Sequence, residues 1–302
     1  MRFDGIFAPL STPFTPGGER IDFDALKENI SAYNRTALAG YVVCGSTGEA
    51  NFLSSDETDA LFAAVAENSS PDKVLIAGTG IDSLSETIQR GKRAGELGYK
   101  AVLVRTPHYY KPLMTHEALV EYYSRVADAS PVPVLVYSIP QYTGVEVRPG
   151  TAAQLARHPN IVGLKESSGR LETVRAIIDA TPKTFQTLVG SASILEASLR
   201  LGAVGGILGL ADVLPNECAQ LFAAARSGDL AGAEELQAQI EPVSKKCVSE
   251  LGPAGVKYAM DCLGLSGGEP RLPLLPLTES QKESVNAVLA AIGKSSVGAV
   301  GD

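Results

Sequence analysis

The sequence predicts a (β/α)₈ TIM barrel with a C-terminal helical appendage. Short apolar runs alternate with longer segments of helical period, which is typical of parallel strands joined by helices. About eight such units occupy the first 227 residues, and eight is the number that closes a barrel. A doubly wound open sheet is the alternative, but such sheets usually have fewer strands and carry a phosphate-binding glycine loop after the first one.

The predicted strands are apolar runs of four or five residues: 5–8, 40–44, 74–77, 101–104, 134–137, 161–165, 185–189 and 204–208. Helical periods between them include 22–38, 83–97, 116–129, 171–180 and 194–201. Gly78-Thr79-Gly80 is the closest match to a dinucleotide loop, but it follows the third strand and Ser83 stands where the third glycine belongs. It therefore predicts an ordinary turn from strand to helix.

The alternation of strands and helices stops after Ser227-Gly228. Residues 229–251, 254–263 and 279–292 have helical patterns, and they are separated by segments rich in glycine and proline. We therefore predict a catalytic barrel over residues 1–227 and a C-terminal helical segment over 228–302, whose last ten residues form a loose tail.

Composition narrows the function classes. The chain has 302 residues, 45% of them hydrophobic, and a formal charge of −8 that argues against non-specific nucleic-acid binding or binding to anionic membranes. Its longest apolar run, 201–211, is far shorter than the ~20 residues of a membrane helix, and residues 1–5 do not resemble a signal peptide. Four scattered cysteines indicate neither a zinc site nor a disulfide framework. We expect a cytoplasmic protein.

Lys165 ends the apolar run 161–165, which is short enough to be one buried strand. Because burial of a protonated amine is costly, such a lysine either reaches water, pairs with a carboxylate such as that of Glu166, or is held as the neutral amine. A neutral buried lysine is a nucleophile that attacks carbonyl groups.

Three further strand exits carry polar groups, and barrel chemistry sits where the strands exit at their C-terminal ends. The second strand leads into the turn Gly45-Ser46-Thr47-Gly48-Glu49, whose backbone N–H groups suit a carboxylate or phosphate. The fourth leads into the aromatic segment 105–112, and the fifth ends on Tyr137. Taken singly, each has a structural explanation as a turn, a surface pair or a core aromatic. Together with Lys165 they indicate a site for a carbonyl substrate.

With these motifs the chain resembles, over nearly its whole length, the superfamily of dihydrodipicolinate synthases and N-acetylneuraminate lyases, which are lysine-dependent class I pyruvate aldolases. The resemblance implies that Lys165 forms the Schiff base, that Tyr137 shuttles protons, and that Ser46 and Thr47 hold the α-carboxylate of the keto acid. Tyr109 matches a tyrosine that neighbouring subunits exchange across a tight dimer interface. Two such dimers form the family's usual homotetramer.

The resemblance also implies ligand contacts from Gly190 and from the backbone carbonyl of Ile207. Dihydrodipicolinate synthases place an arginine where this chain has Tyr142, and N-acetylneuraminate lyases carry acidic residues where this chain has Ser191 and Ala192. Both departures weaken those two assignments.

Segments 137–140, 158–163, 190–193 and 201–206 are most similar to 4-hydroxy-2-oxoglutarate aldolases, in which the serine matching Ser167 is implicated in substrate binding. Glu166 and Thr47 depart from that pattern, which has Asp and Asn there.

We therefore expect an aldolase that cleaves 4-hydroxy-2-oxo acids to pyruvate and an aldehyde through an imine on Lys165. Tyr137 would remove the proton of the C4 hydroxyl, and Ser46 and Tyr109 would relay it to solvent. The iminium takes the electrons that a Lewis acid would otherwise hold, so no metal or other cofactor is expected. The alternatives are a 2-keto-3-deoxy sugar acid aldolase, an oxaloacetate decarboxylase, a dihydrodipicolinate synthase, and a catalytically silent member that binds sugar acids or assembles with a partner.

Overall fold

Eight parallel strands form a closed barrel, which confirms the predicted fold class. The computed structural model describes residues 1–294, and each strand is hydrogen bonded to the next in chain order, with the eighth closing on the first. The strands are β1 Gly5–Ala8, β2 Gly40–Val43, β3 Val74–Gly78, β4 Ala101–Arg105, β5 Val134–Ser138, β6 Ile161–Glu166, β7 Gln186–Val189 and β8 Gly205–Ile207.

At the mouth of the barrel, several strands end one residue earlier or later than predicted. β2 stops before Cys44 because that residue has φ 58°, which is outside the extended region. β6 continues past Lys165 to Glu166, because Glu166 still pairs with Ser138 of β5 and Val189 of β7. Lys165 is therefore fixed by strand pairing on both sides.

Helices cover the outside of the barrel and continue beyond it. They are α1 Phe23–Asn34, α2 Ser55–Asn68, α3 Leu84–Glu96, α4 His116–Ala129, α5 Pro140–Thr143, α6 Pro149–Leu155, α7 Leu171–Ala180, α8 Leu195–Leu201, α9 Pro215–Ser227, α10 Leu230–Val243, α11 Gly252–Cys262 and α12 Glu279–Ala291. The predicted helix 22–38 is shorter because Asp22 is its N-cap, accepting from Ala25 N, and the N–H groups of Arg35 and Thr36 bond to carbonyls three residues back.

The pattern 229–251 is not one α-helix. α10 ends at Val243, and a π-helical segment, Ser244–Glu250, follows it. Pro242, in the last turn of α10, lacks the N–H for a regular helical bond. Residues 295–302 of the predicted tail lie outside the described residues, and the division of the chain at residue 227 stays a prediction. Within residues 1–294, no helix has the length and apolarity needed to cross a membrane.

The barrel interior is filled by alternate residues of the strands, which form a cluster separate from the core between strands and helices. The cluster consists of Phe3, Phe7, Val42, Ile76, Ala101, Leu103, Leu135, Tyr137, Ile139, Leu188 and Ile207. Tyr137 lies at the C-terminal end of this cluster. The barrel is therefore a closed core below Tyr137, and its cavities lie above, among the loops that follow the strands.

Candidate active site

Lys165 is buried at the mouth of the barrel, with 5% of its surface exposed. Its Nζ lies 4.2 Å from the centroid of the Tyr137 ring, and no carboxylate of residues 1–294 forms an ion pair with it. Glu166 does not fill that role. Successive strand residues point to opposite faces, and Glu166 Oε1 accepts instead from Ser168 N at 2.9 Å. The amine is thus left free to react.

Tyr137 joins Lys165 to the turn after β2. The two residues are register partners on β5 and β6, and both are buried. On the other side the Tyr137 hydroxyl lies 3.3 Å from Ser46 Oγ, within hydrogen-bond distance. The structure therefore brings together three of the four predicted catalytic residues as a continuous chain from amine to aromatic ring to hydroxyl.

The turn carrying Ser46 and Thr47 is bounded by two non-glycine residues in the left-handed region, Cys44 at φ 58° and Glu49 at φ 56°. Such conformations cost about 1–3 kcal/mol each and persist only where surrounding contacts enforce them. Here the Glu49 side chain is anchored, because Lys257 Nζ lies 2.6 Å from Oε1 and Arg271 N donates to Oε2 at 2.8 Å.

This anchored turn presents two free donors to the site. Among residues 1–294, the backbone N–H groups of Ser46 and Thr47 donate to no acceptor, while Glu49 N closes the turn onto Ser46 O at 3.1 Å. Free, preorganised N–H groups beside a buried amine suit a carboxylate. The carboxylate-binding role of these two residues stays a prediction, with which the free N–H groups are compatible.

The opposite wall is formed by Ser167, Gly190 and Ile207, which line a cavity of about 380 Å³ together with Thr47 and Lys165. We call this cavity the Lys165 cleft. A Cβ atom at Gly190 would lie 1.7 Å from Ser167 Oγ and 3.0 Å from Lys165 Cε, so only glycine leaves room there. Ser167 Oγ is buried and has no hydrogen-bond partner in the described part of the chain, which makes it a candidate ligand contact.

Tyr109 is the one predicted catalytic residue that does not reach the site within its own chain. It lies on the loop after β4, is 77% exposed, and packs edge-to-face on Tyr110 with ring centroids 5.0 Å apart. An exposed aromatic pair of this kind is compatible with insertion into a neighbouring subunit, and that role stays a prediction.

Asp212 is a buried residue near Lys165 that sequence reasoning missed. Its Oδ1 accepts from Ser11 N at 3.2 Å, and Oδ2 has no partner among residues 1–294. Burial raises the pKa of this carboxyl to about 7. The hydrogen bond from Ser11 and the charge of Lys165 act in the opposite direction and lower this pKa, but by less. The signal was present in the sequence as a lone acid within the apolar stretch 201–214.

Arg105, the last residue of β4, was also missed. It lines a second cavity of about 410 Å³ with Arg90, His108 and Leu103, and we call this cavity the Arg105 cleft. The two clefts share Ser46, Tyr137, Ile139 and Tyr142, so they meet at the proposed proton-transfer residues. Tyr142, where the resemblance described above places the arginine of dihydrodipicolinate synthases, is 57% exposed.

A sequence model of the Dihydrodipicolinate synthetase family matches residues 2–292, nearly the whole chain. The chain belongs to this family. It is accordingly an enzyme of the pyruvate-dependent class I aldolase type, as the strand-exit residues indicate.

Named relatives of this family match at full length. The 4-hydroxy-tetrahydrodipicolinate synthase of Methanothrix thermoacetophila is 35% identical over 288 residues, covering 95% of this chain and 96% of that protein. The enzyme of the same name from Geobacter sulfurreducens is 35% identical over 287 residues, covering 95% and 98%. These names support the family, and they do not support the expected closeness to 4-hydroxy-2-oxoglutarate aldolases.

Solved structures of family members have the same fold. Dihydrodipicolinate synthase from Aquifex aeolicus superposes with a TM-score of 0.92 at 30% identity, covering 98% of this chain and all of that one. The chloride-inhibited dihydrodipicolinate synthase from Acinetobacter baumannii, complexed with pyruvate, gives a TM-score of 0.92 at 32% identity, covering 97% and 100%.

Proposed function

We propose that this enzyme forms a Schiff base between Lys165 and the C2 carbonyl of a 2-oxo acid. The observation that carries the proposal is a buried amine without a carboxylate partner in residues 1–294, stacked on Tyr137 beside the free N–H groups of the Ser46-Thr47 turn. The turn would hold the α-carboxylate, which places C2 over the amine. Ser167, Gly190 and the carbonyl of Ile207 would complete the Lys165 cleft around the substrate.

The reaction then follows from the residues present. Attack of the neutral amine on C2 and loss of water give an imine, which takes up a proton and becomes an iminium. Cleavage of the bond between C3 and C4 sends its electron pair to that iminium and leaves an enamine of pyruvate. As Tyr137 takes the proton of the C4 hydroxyl, its own phenolic proton moves to Ser46 at 3.3 Å, the hydroxyl proton of Ser46 passes on to solvent, and an aldehyde leaves. Protonation of the enamine carbon and hydrolysis release pyruvate and restore the amine.

For the substrate we propose a 4-hydroxy-2-oxo acid of the 4-hydroxy-2-oxoglutarate type. The support is Tyr142, a neutral and largely exposed side chain where dihydrodipicolinate synthases place a carboxylate-binding arginine. Without that clamp, aspartate semialdehyde lacks a contact of about 1.5–3 kcal/mol. Ser191 and Ala192 likewise offer no carboxylate to the polyhydroxyl chain of N-acetylneuraminate.

Condensation of pyruvate with aspartate semialdehyde is the second candidate function, and the names of the relatives favour it. The same enamine would also serve cleavage of 2-keto-3-deoxy sugar acids or decarboxylation of oxaloacetate. A steady-state panel of these four reactions plus N-acetylneuraminate cleavage separates them. We expect 4-hydroxy-2-oxoglutarate cleavage to have the highest kcat/KM. If aspartate semialdehyde condensation ranks first, the substrate assignment is wrong while the Lys165 chemistry stands.

We also propose that Tyr109 works in the site of a neighbouring subunit within a homotetramer built from two tight dimers. Support comes from its exposure and from its absence among the residues that line either cleft of its own chain. Mixing the inactive variants Lys165→Ala and Tyr109→Ala tests this by complementation, since a mixed dimer holds one site with both residues intact. We expect activity up to about a quarter of wild type after subunit exchange. Activity no greater than the separate variants would refute the exchange.

A further inference from the structure

Three side chains stand in one row at the mouth of the barrel. Arg105 is the register partner of Tyr137, and Tyr137 is the register partner of Lys165. Leu103 and Leu135, two residues earlier on β4 and β5, belong to the interior cluster. Because alternate strand residues share a face, Arg105 lies on the same inward face as Tyr137 and Lys165.

Two of the three nitrogens of the Arg105 guanidinium have no partner within residues 1–294. Its Nη1 lies 2.6 Å from His108 Nδ1 and 3.5 Å from Thr106 O, while Nε and Nη2 donate to no acceptor among residues 1–294. The nearby carboxylate of Asp82 accepts from the N–H groups of His108 and Tyr109 instead. A guanidinium presents a fork of donors that matches a carboxylate, so free donors facing a cavity point to an anionic ligand.

The other charged side chains that line the Arg105 cleft have partners. Arg90 pairs with Glu86 at 3.2 Å, Glu49 with Lys257 at 2.6 Å, and Glu250 with Lys246. Within residues 1–294, Arg105 is therefore the arginine of this cleft that has no carboxylate partner. An anion entering the cleft would meet it without having to break an existing ion pair.

The spacing of the row matches the order of groups along a short dicarboxylic substrate. Neighbouring strands lie about 4.8 Å apart, which places the backbones of Lys165 and Arg105 roughly 10 Å apart with Tyr137 between them. In 4-hydroxy-2-oxoglutarate the distance from C2 to the carbon of the C5 carboxylate is about 4 Å at ordinary bond lengths, and the C4 hydroxyl lies between them. For side chains that extend in parallel from these backbones, one imine bond and one hydrogen bond at the two ends fill the remaining distance.

We infer that Arg105 binds the distal carboxylate of a short 4-hydroxy-2-oxo dicarboxylate, with C2 on Lys165 and the C4 hydroxyl at Tyr137. This specificity role rests on the Schiff-base function proposed above. Arg105, on β4, would thus bind the carboxylate that dihydrodipicolinate synthases bind with an arginine at the position of Tyr142. The adduct of aspartate semialdehyde fits the row poorly, since its carboxylate lies farther along the chain and it adds an ammonium group that the guanidinium repels.

A pair of substrates that differ in the distal carboxylate tests the inference. 4-Hydroxy-2-oxoglutarate carries it, and 4-hydroxy-2-oxopentanoate has a methyl group instead. In Arg105→Met, kcat/KM for the dicarboxylate should fall about 10- to 100-fold more than for the monocarboxylate, because a charge-assisted contact is lost for one substrate alone. Arg105→Lys, which keeps the charge without the fork, should recover part of the difference.

Arg90→Met is the matched control, because it removes a second arginine of the same cleft that is already paired with Glu86. Its effect should be equal for both substrates. Equal losses for both substrates in Arg105→Met would overturn the role of Arg105. Borohydride trapping of pyruvate separates this result from failure of the proposed function: trapped adduct in wild type and variant shows that Lys165 chemistry and fold are intact, and its absence in wild type refutes the Schiff base itself.

Discussion

Two regions of the molecule bury a lysine against an aromatic ring, and they use it in opposite ways. Lys165 at the barrel mouth lies 4.2 Å from the ring centroid of Tyr137, and Lys257 of α11 lies 4.3 Å from that of Phe14. Lys257 is also 2.6 Å from Glu49 and donates to Glu269 O at 2.9 Å. Lys165 has neither kind of partner in the described part of the chain.

The difference between the two lysines shows that one holds the structure and the other is left for the reaction. The ion pair of Lys257 and Glu49 holds the left-handed residue that ends the Ser46-Thr47 turn, and so links α11 to the substrate site. Within residues 1–294 Lys165 has no ion-pair partner, so its amine is not held in a structural contact and is available as the nucleophile of the proposed Schiff base. Substitutions should accordingly affect catalysis in one region and folding in the other.

Lys165→Ala should have the largest effect on activity. We expect a loss of at least about 10⁴-fold in kcat, because the covalent route disappears with the amine. The free energy of unfolding should stay within about 1 kcal/mol of wild type, since no paired carboxylate is left unpaired. Steady-state assays and urea denaturation measure the two quantities. Turnover near the wild-type level would exclude Lys165 as the nucleophile.

Tyr137→Phe should lower kcat by about 10²- to 10⁴-fold, the usual contribution of a positioned acid–base group. The ring that packs on Lys165 remains, so pyruvate trapping by borohydride should persist. Parallel assays of turnover and trapping check this. A proportional loss of both would assign Tyr137 a packing role instead.

Lys257→Met should act on stability. Removal of the amine leaves Glu49 buried and unpaired, which costs about 3–5 kcal/mol in the free energy of unfolding. Lys257→Met combined with Glu49→Gln should be markedly more stable than the sum of the two single variants, because no charge is left unpaired. Denaturation of all three variants measures this coupling. Additive effects would show that the pair does not anchor the turn.

Asp212→Asn should change how stability depends on pH. The folded-state pKa of Asp212 is raised from 3.8 to about 7, so between about pH 4 and pH 7 the unfolded chain ionises this carboxyl while the folded chain keeps the proton. Wild-type stability therefore falls across that window as pH rises. The asparagine variant lacks this loss, and its stability relative to wild type should rise by on the order of 3 kcal/mol from pH 4 to pH 8. A pH-independent difference would refute the raised pKa.

The barrel and most of its mouth were predictable from the sequence, because strand periodicity and the residues at strand exits are local signals. Lys165, Tyr137 and Ser46 stood at the ends of apolar runs and met in space, as parallel strands require. Arg105 directly follows the predicted run 101–104, but one arginine near a strand end is usually solvated, and the register that aligns it with Tyr137 is a long-range property.

Other features depended on contacts that no local pattern encodes. The pair of Glu49 and Lys257 joins residues more than two hundred positions apart, and nothing near either residue indicates the partner. Burial of Asp212 depends on its contact with Ser11 from the first strand's loop. The role proposed for Tyr109 involves a second subunit, which a single sequence does not display.

The most direct test is mass spectrometry of the peptides after incubation with pyruvate and borohydride. A reduced pyruvate adduct is expected on the peptide carrying Lys165 and not on the one carrying Lys257, although both lysines are buried against aromatic rings. Lys165→Ala should show no adduct. An adduct on Lys257, or none on Lys165 in the wild-type enzyme, would contradict the assignment of the unpaired amine as the nucleophile.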